Sequence, residues 1–391
     1  MTAFLLTFGL GLLLAVLTSA LASRSPLSTS AVFLAVGLVA GPLVLGVVDV
    51  AEHTVERVAE VALFVILFTD GQHAPWRFRP SRWSNPARAL LVAMPLTFAM
   101  VAVLAHLVAG LPWPAALVLG AVLSPTDPVF ASALVGREDV PRRVRSLLNV
   151  ESGLNDGLAL PAVLLLVGLA GGDPEQWSTD VWTLVGEVAA GIGLGVALPV
   201  AVWLLLRLPG VGSVTTLRPL GPLAVAVLLF AVCGAVHANQ FLAAFVAGAT
   251  IATLAPDVSD SFRHTGELVS EMVKGAALVA FASLVDVSVL VDAGWAGLLL
   301  AVLVIGICRP LPVMLSLAGT RLDRKERLSV AWFGPKGFAS VAYAVIVAFS
   351  GMDLAGEVLA LTTVAVLVSI LAHSSTDVVV ARALSDTDAA S

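Results

Sequence analysis

The chain has 391 residues, 59% of them hydrophobic and only 12% charged, with a formal net charge of −6 and a mean hydropathy of +1.00. A soluble chain carries about 25% charged residues, so this composition excludes a water-facing globular surface and leaves no polar stretch for a separate soluble domain. No basic stripe with interleaved aromatics occurs, which excludes nucleic acid as a partner, and the two cysteines, Cys233 and Cys308, lack CxxC spacing and read as buried thiols.

A spanning helix needs roughly 20 apolar residues, and helix-length windows give about thirteen such spans from end to end. The first, 3–22, has no basic stretch ahead of it and reads as a span, not a cleaved signal peptide. Spans follow at 28–48 and 55–73, the latter ending in ILFTDG, where Asp70 closes it on the cytoplasmic side. The fourth is 87–109. The fifth, 113–135, contains LVLGAVLSPTDPVFASAL. Its prolines remove amide donors and clash with the preceding turn, so it reads as a helix broken at membrane depth. Such a break survives only inside protein or beside a water-filled cavity. Asp127 lies in it between Pro125 and Pro128, where a carboxylate suits the positive N-terminus of the inner half-helix. Thr126 and the freed carbonyls beside it also offer oxygens to a cation.

The sixth span, 146–170, opens SLLNVESGLNDGLALPAVLLL. Glu151 and Asn155 are four apart, as are Ser152 and Asp156, so adjacent helical stripes make one polar face. A polar seam between helices accounts for Ser152 and Asn155. It does not account for Asp156, because an ionisable group at mid-membrane costs at least roughly 2.5–3.5 kcal/mol and marks function.

Spans at 180–206, 219–237, 240–254 and 266–289 are plainer. Glu60, the Glu271 and Lys274 pair, His106 and His237 read as half-buried structural groups, and the histidine spacing makes no metal site. The eleventh span, 292–318, holds Arg309 in GICRPLPV, too deep to snorkel, so it needs an acidic partner. Glu151 is the choice among few acids at that depth, and its guanidinium–carboxylate pairing is structural. The twelfth span, 328–350, is broken at AWFGPKGFASVAYA, and Lys336 there is read as neutralising the exposed carbonyl ends of a broken helix. The thirteenth is 355–380.

Arg77, Arg79, Arg82 and Arg88 follow the third span, Arg137, Arg142, Arg143 and Arg145 the fifth, and Arg321, Arg324, Lys325 and Arg327 the eleventh. All three sets lie on one face of the membrane only if the spans are counted correctly. By the positive-inside rule the N-terminus is then outside and the C-terminus cytoplasmic. The two broken spans are seven apart, so they cross in opposite senses, the pattern of inverted repeats around a transporter's binding site. The expected fold is an all-α integral membrane protein of about thirteen helices, one transmembrane domain over 1–391.

A carboxylate beside Asn and Ser, facing unwound carbonyls and a second Asp, is a hard-oxygen site suited to Na+ or a similar monovalent ion. The same carboxylate can take a proton instead. Competition of one cation and one proton for Asp156, with alternating access, amounts to antiport. In LSPTDPVFASAL, NVESGLNDGLALPAV, mid-span Arg309 and GPKGFASVAYA the chain resembles the monovalent cation:proton antiporters, specifically bacterial NhaP-type Na+/H+ exchangers. The resemblance covers essentially the whole chain. It implies that Asp156 binds cation and proton, that Asn155, Thr126, Asp127, Ser152 and Asp70 contribute to or surround the site, and that Glu151 pairs with Arg309. It also implies a homodimer in the cell membrane and electroneutral one-for-one exchange without a cofactor. Two positions depart from the pattern. Lys336 stands where such proteins often have Arg, keeping the charge without the fork, and Asp70 where they often have Glu, shortening its reach.

Two rival readings follow from the same residues. Asp127 and Asp156 as the dyad of an intramembrane aspartyl protease would not need the flanking prolines or Asn155. A Na+-coupled symporter of an organic solute would need more donors than the broken spans supply. The reading adopted is a transporter and not an enzyme.

Overall fold

The computed structural model describes residues 2–22, 29–74, 85–126, 141–171, 181–210, 212, 214 and 217–388. Asp127, Arg77, Arg79, Arg82 and Arg137 lie outside the described residues, and the side chains of Arg142, Ser152 and Asp156 lie outside the description of their helix.

Within those residues the chain is helical, without strands. The helices are α1 (Thr2–Ala22), α2 (Thr29–Ala40), α3 (Glu52–His73), α4 (Asn85–Val108), α5 (Trp113–Leu123), α6 (Arg142–Leu169) and α7 (Val181–Leu205). They continue with α8 (Leu220–Ala235), α9 (Gln240–Leu254), α10 (Pro256–Ala282), α11 (Val287–Ser316), α12 (Arg324–Trp332), α13 (Phe338–Ala348) and α14 (Ala355–Asp388). By length and composition α4, α7, α11 and the Ala355–His373 part of α14 are apolar enough to cross a membrane, and seven further apolar helices are shorter. That criterion passes over α3, α6 and α10 as wholes because those helices carry the charges.

The expected spans coincide with these helices within about five residues except at five places. The second, expected at 28–48, ends at Ala40, just ahead of Gly41–Pro42, and the thirteenth, expected at 355–380, runs on to Asp388. The tenth, expected at 266–289, runs from Pro256 to Ala282. Its first turns (PDVSDSFRH) are too polar for a hydropathy window, and Asp286 starts the next helix by accepting the Val289 N–H at 3.0 Å. The fifth and twelfth are broken. Leu123 ends α5 one residue before Ser124–Pro125, and an extended stretch, 333–337, separates α12 from α13.

By its contacts the chain divides into two compact units. The first comprises Met1–Ala59, Pro80–Trp177 and Gly275–Ser391, the second Glu60–Arg79 and Ser178–Lys274. In the second unit α3 and α9 cross backbone to backbone. A Cβ at Gly248 would meet the Phe68 carbonyl oxygen at 2.1 Å, and one at Gly71 the Phe245 carbonyl oxygen at 2.1 Å, so only glycine admits this approach. Polar bonds fasten α3 to α10 and to α9: Ser270 Oγ donates to Thr69 Oγ1 at 2.9 Å and Ser259 Oγ to Gln72 Oε1 at 3.0 Å, both from α10, and Gln240 Nε2 of α9 donates to Glu60 Oε1 at 2.5 Å. Lys274, expected as a helix-face pair with Glu271, bonds to it at 2.8 Å.

The first unit holds both breaks. Here α5 packs on α4 and α6, α13 on α5 and α6, and α14 on α11 and α13. Within it His106 bonds the Leu111 carbonyl at 2.7 Å and stacks on Trp113. His237, in the second unit, is exposed at a turn with φ 53°, not half-buried as expected, because the chain reverses there between α8 and α9.

Candidate functional site

The site is built where α5 stops. Pro125 lacks an N–H and its ring blocks a continued helix, which strands the last carbonyls of α5. In the hydrocarbon region each unmet backbone group costs several kcal/mol, so other segments must reach them. Ser340 Oγ, in the first turn of α13, donates to Val122 O at 2.9 Å. Lys336 Nζ donates to Ser124 O at 3.3 Å and Pro125 O at 3.0 Å. Lys336 is fully buried, and a cation at a helix C-terminus is stabilised by the dipole as well as by the bonds. The two breaks therefore lie against each other, the second supplying donors to carbonyls that the first leaves open.

The stretch that carries Lys336 is itself held. Its backbone N–H donates to Ser369 Oγ on α14 at 2.8 Å. Trp332 O, at the end of α12, lies 2.9 Å from His373 Nε2, and the Trp332 indole N–H donates to Thr376 Oγ1 at 2.9 Å. Gly334 lies against the Arg309 guanidinium, where a Cβ would sit 2.2 Å from Nε.

Arg309 follows a π-turn, Val304–Cys308, and precedes Pro310. Its Nη1 donates to Glu151 Oε1 at 2.5 Å, and both side chains are 3% exposed. One turn further along α6, Asn155 Nδ2 donates to Thr126 Oγ1 at 2.8 Å. Asn155 Oδ1 and Glu151 Oε2 are buried oxygens without a hydrogen-bond partner among the described residues. Buried polar atoms are ordinarily satisfied, so an unpaired amide oxygen beside a helix break is a place for a cation or water.

Of the residues singled out from the sequence, the structure brings Thr126 to Asn155, Glu151 to Arg309 and Lys336 to the end of α5, all in the first unit. Asp156 follows Asn155 in α6, although its side chain and that of Ser152 are not described. Asp127 lies just past the described end of the break. Asp70 is half-buried in the last turn of α3 and belongs to the second unit. The described residues hold no cluster of three or more His, Cys, Asp or Glu. Sequence reasoning missed Ser340, Ser369, His373 and Thr376. The last three recur at helical spacing along α14, a signal that was available.

The family profile described as "Sodium/hydrogen exchanger, transmembrane" matches residues 11–382. A relative named K(+)/H(+) antiporter NhaP, from Alkalimonas amylolytica, is 29% identical over 364 residues, which are 89% of this chain and 61% of that protein. The K(+)/H(+) antiporter NhaP2 of Shewanella sp. strain MR-4 is 26% identical over 385 residues, 96% of this chain and 66% of its own. The chain thus spans a little under two thirds of the length of these curated relatives. Among solved structures, the sodium proton antiporter MjNhaP1 from Methanocaldococcus jannaschii at pH 8 superposes with a TM-score of 0.81 at 20% identity, covering 98% of both chains. At that identity the likeness is one of fold.

Proposed function

The chain belongs to the sodium/hydrogen exchanger family of multi-pass membrane proteins, and from that footing we propose that it is a secondary antiporter exchanging a monovalent cation for H+ at Asp156. The cation is Na+, Li+ or K+. The relatives named above are K+/H+ and Na+/H+ antiporters, which supports the class of substrate and leaves the choice within it to measurement. The observation that carries the reading is the setting of Asn155. It is anchored to Thr126 at the break of α5, keeps an unpaired buried oxygen, and immediately precedes Asp156 in α6. Arg309, the nearest deep cation on α11, is engaged by Glu151. In this reading cation and proton compete for the Asp156 carboxylate, and Thr126, Asp127, Ser152 and Asn155 complete or support its shell. Lys336 holds the carbonyl end of α5 in place of an ion.

A charged carboxylate with a cation, or a neutral one with a proton, can cross a low-dielectric barrier. An empty charged site cannot. That restriction turns competition into exchange, one cation for one proton, with alternating access. The protein resides in this reading in the cell membrane as a homodimer, N-terminus outside. The orientation is supported by the gathering of the basic loops: Arg88 donates to Ala318 O at 3.1 Å, and Arg143 pairs with Glu326 of α12.

Asp156→Asn in proteoliposomes with a trapped pH-sensitive dye should abolish proton movement on adding Na+, Li+ or K+ while the variant remains folded. Cation-driven proton movement that persists in this variant would sink the assignment.

A further inference from the structure

The bonds from α14 to the break in the twelfth span form a set. Ser369, His373 and Thr376 stand at i, i+4 and i+7, hence on one helical face, and each bonds a group within 332–336. Ser369 Oγ accepts the Lys336 N–H, His373 Nε2 meets Trp332 O, and Thr376 Oγ1 accepts the Trp332 indole N–H. The His373 and Trp332 rings also lie 5.3 Å apart between centroids. Trp332 O stands just before the non-helical stretch 333–337 and Lys336 N near its end. The face thus fixes the segment at both its ends.

A carbonyl can only accept, so the middle bond forms when Nε2 carries a hydrogen, in the Nε2–H tautomer or in the protonated ring. Nδ1 has two neighbours, Ser369 Oγ at 3.2 Å and Ser369 O at 2.8 Å. In a neutral ring Nδ1 accepts from the hydroxyl, and in a protonated ring it donates to the carbonyl. Either way Nε2–H still holds Trp332 O. The charged groups facing this ring from neighbouring elements are Lys336 and Arg309, and Arg309 is paired with Glu151. The arrangement is an anchor, not a titrating switch.

Beyond the anchor, the contacts run toward the site. Lys336 reaches Ser124 O and Pro125 O, the next residue is Thr126, and Thr126 accepts from Asn155. A shift of the break therefore moves the ammonium along the carbonyl end of α5, one residue from the cation shell. We propose that His373, with Ser369 and Thr376, is a positioning residue for exchange: it sets where Lys336 meets α5, without touching the cation. This rests on the antiporter reading above.

The test uses the full chain in proteoliposomes, with cation-driven proton movement, thermal melting, and deuterium uptake across 333–337 measured on the same preparations. Losing one such bond corresponds to about fivefold in rate. His373→Ala should lower the maximal rate by about that factor, leave the apparent KM for the cation within about twofold, and speed deuterium uptake in 333–337. His373→Gln, whose amide nitrogen can still donate to Trp332 O, should restore both rate and protection. If His373→Ala does not fold, Ser369→Ala and Thr376→Val carry the same comparison with smaller losses. Unchanged uptake, a wild-type rate in folded His373→Ala, or loss that His373→Gln does not rescue would overturn the proposal. Absence of exchange in the wild-type chain would instead overturn the antiporter reading, and the uptake measurement would still judge the anchor.

Discussion

Arg309 and Glu151 meet deep in the first unit, each with one bond made and spare capacity left. Glu151 Oε2 and Arg309 Nε and Nη2 have no partner among the described residues. A buried pair of this kind gains little over an apolar pair, but removing one member strands the other charge at a cost of about 3–5 kcal/mol. Glu151→Gln should therefore lower the melting temperature of the purified protein sharply, and Arg309→Met alone should do the same. Combining the two should cost clearly less than the sum, because the double variant leaves no lone charge. Additive losses would mean that each side chain is held by something other than its partner. The pairing could be reasoned from the sequence because acids at that depth are few. The acceptors of Lys336 could not, since they are backbone oxygens of Ser124 and Pro125, and backbone oxygens have no letter of their own.

At the scale of elements, small residues and breaks control how closely helices approach. The crossing of α3 and α9 depends on Gly71 and Gly248, where an added Cβ would lie 2.1 Å from a carbonyl oxygen of the facing helix. Gly248→Ala should destabilise the protein by about 1–3 kcal/mol, as overpacking of a tight contact does. Gly186 in α7, with nothing within 4 Å of an added Cβ, is the control. Gly186→Ala should be neutral or mildly stabilising, by up to about 1 kcal/mol. Equal effects at the two positions, read by thermal melting, would argue against a close crossing. Both helix breaks were legible because proline and glycine announce them. The start of α10 was not, since its first turns are polar and hydropathy weighs only what faces hydrocarbon. The polar face of α14 was overlooked for another reason: its three residues stand among other serines and threonines of the same helix, and only their shared face gives them meaning.

For the molecule as a whole, orientation is the property on which the direction of exchange depends. Arg324 is exposed at the start of α12 and Asp353 at the turn before α14, with one broken crossing between them. The native cysteines are both buried, so single introduced thiols report cleanly. With the N-terminus outside, a membrane-impermeant maleimide should label Asp353→Cys in intact cells and Arg324→Cys only after the cells are opened. The reverse pattern would invert the orientation. The overall architecture could be anticipated because charge, proline and apolar length are written directly in the chain. The division into two units could not, since it depends on which helices share contacts.

The buried cations also say something about the order in which this chain can be assembled. Lys336 is synthesised long after Ser124 and Pro125, and Arg309 long after Glu151. A growing chain thus places its open carbonyls and its lone carboxylate in the membrane first, and they wait for donors from the C-terminal third. An ammonium or guanidinium arriving late finds its acceptors already in position and is spared most of the roughly 2.5–3.5 kcal/mol that insertion beside lipid would cost. A nascent chain arrested before residue 300 would leave Glu151 and the end of α5 unanswered, a state for membrane quality control to recognise.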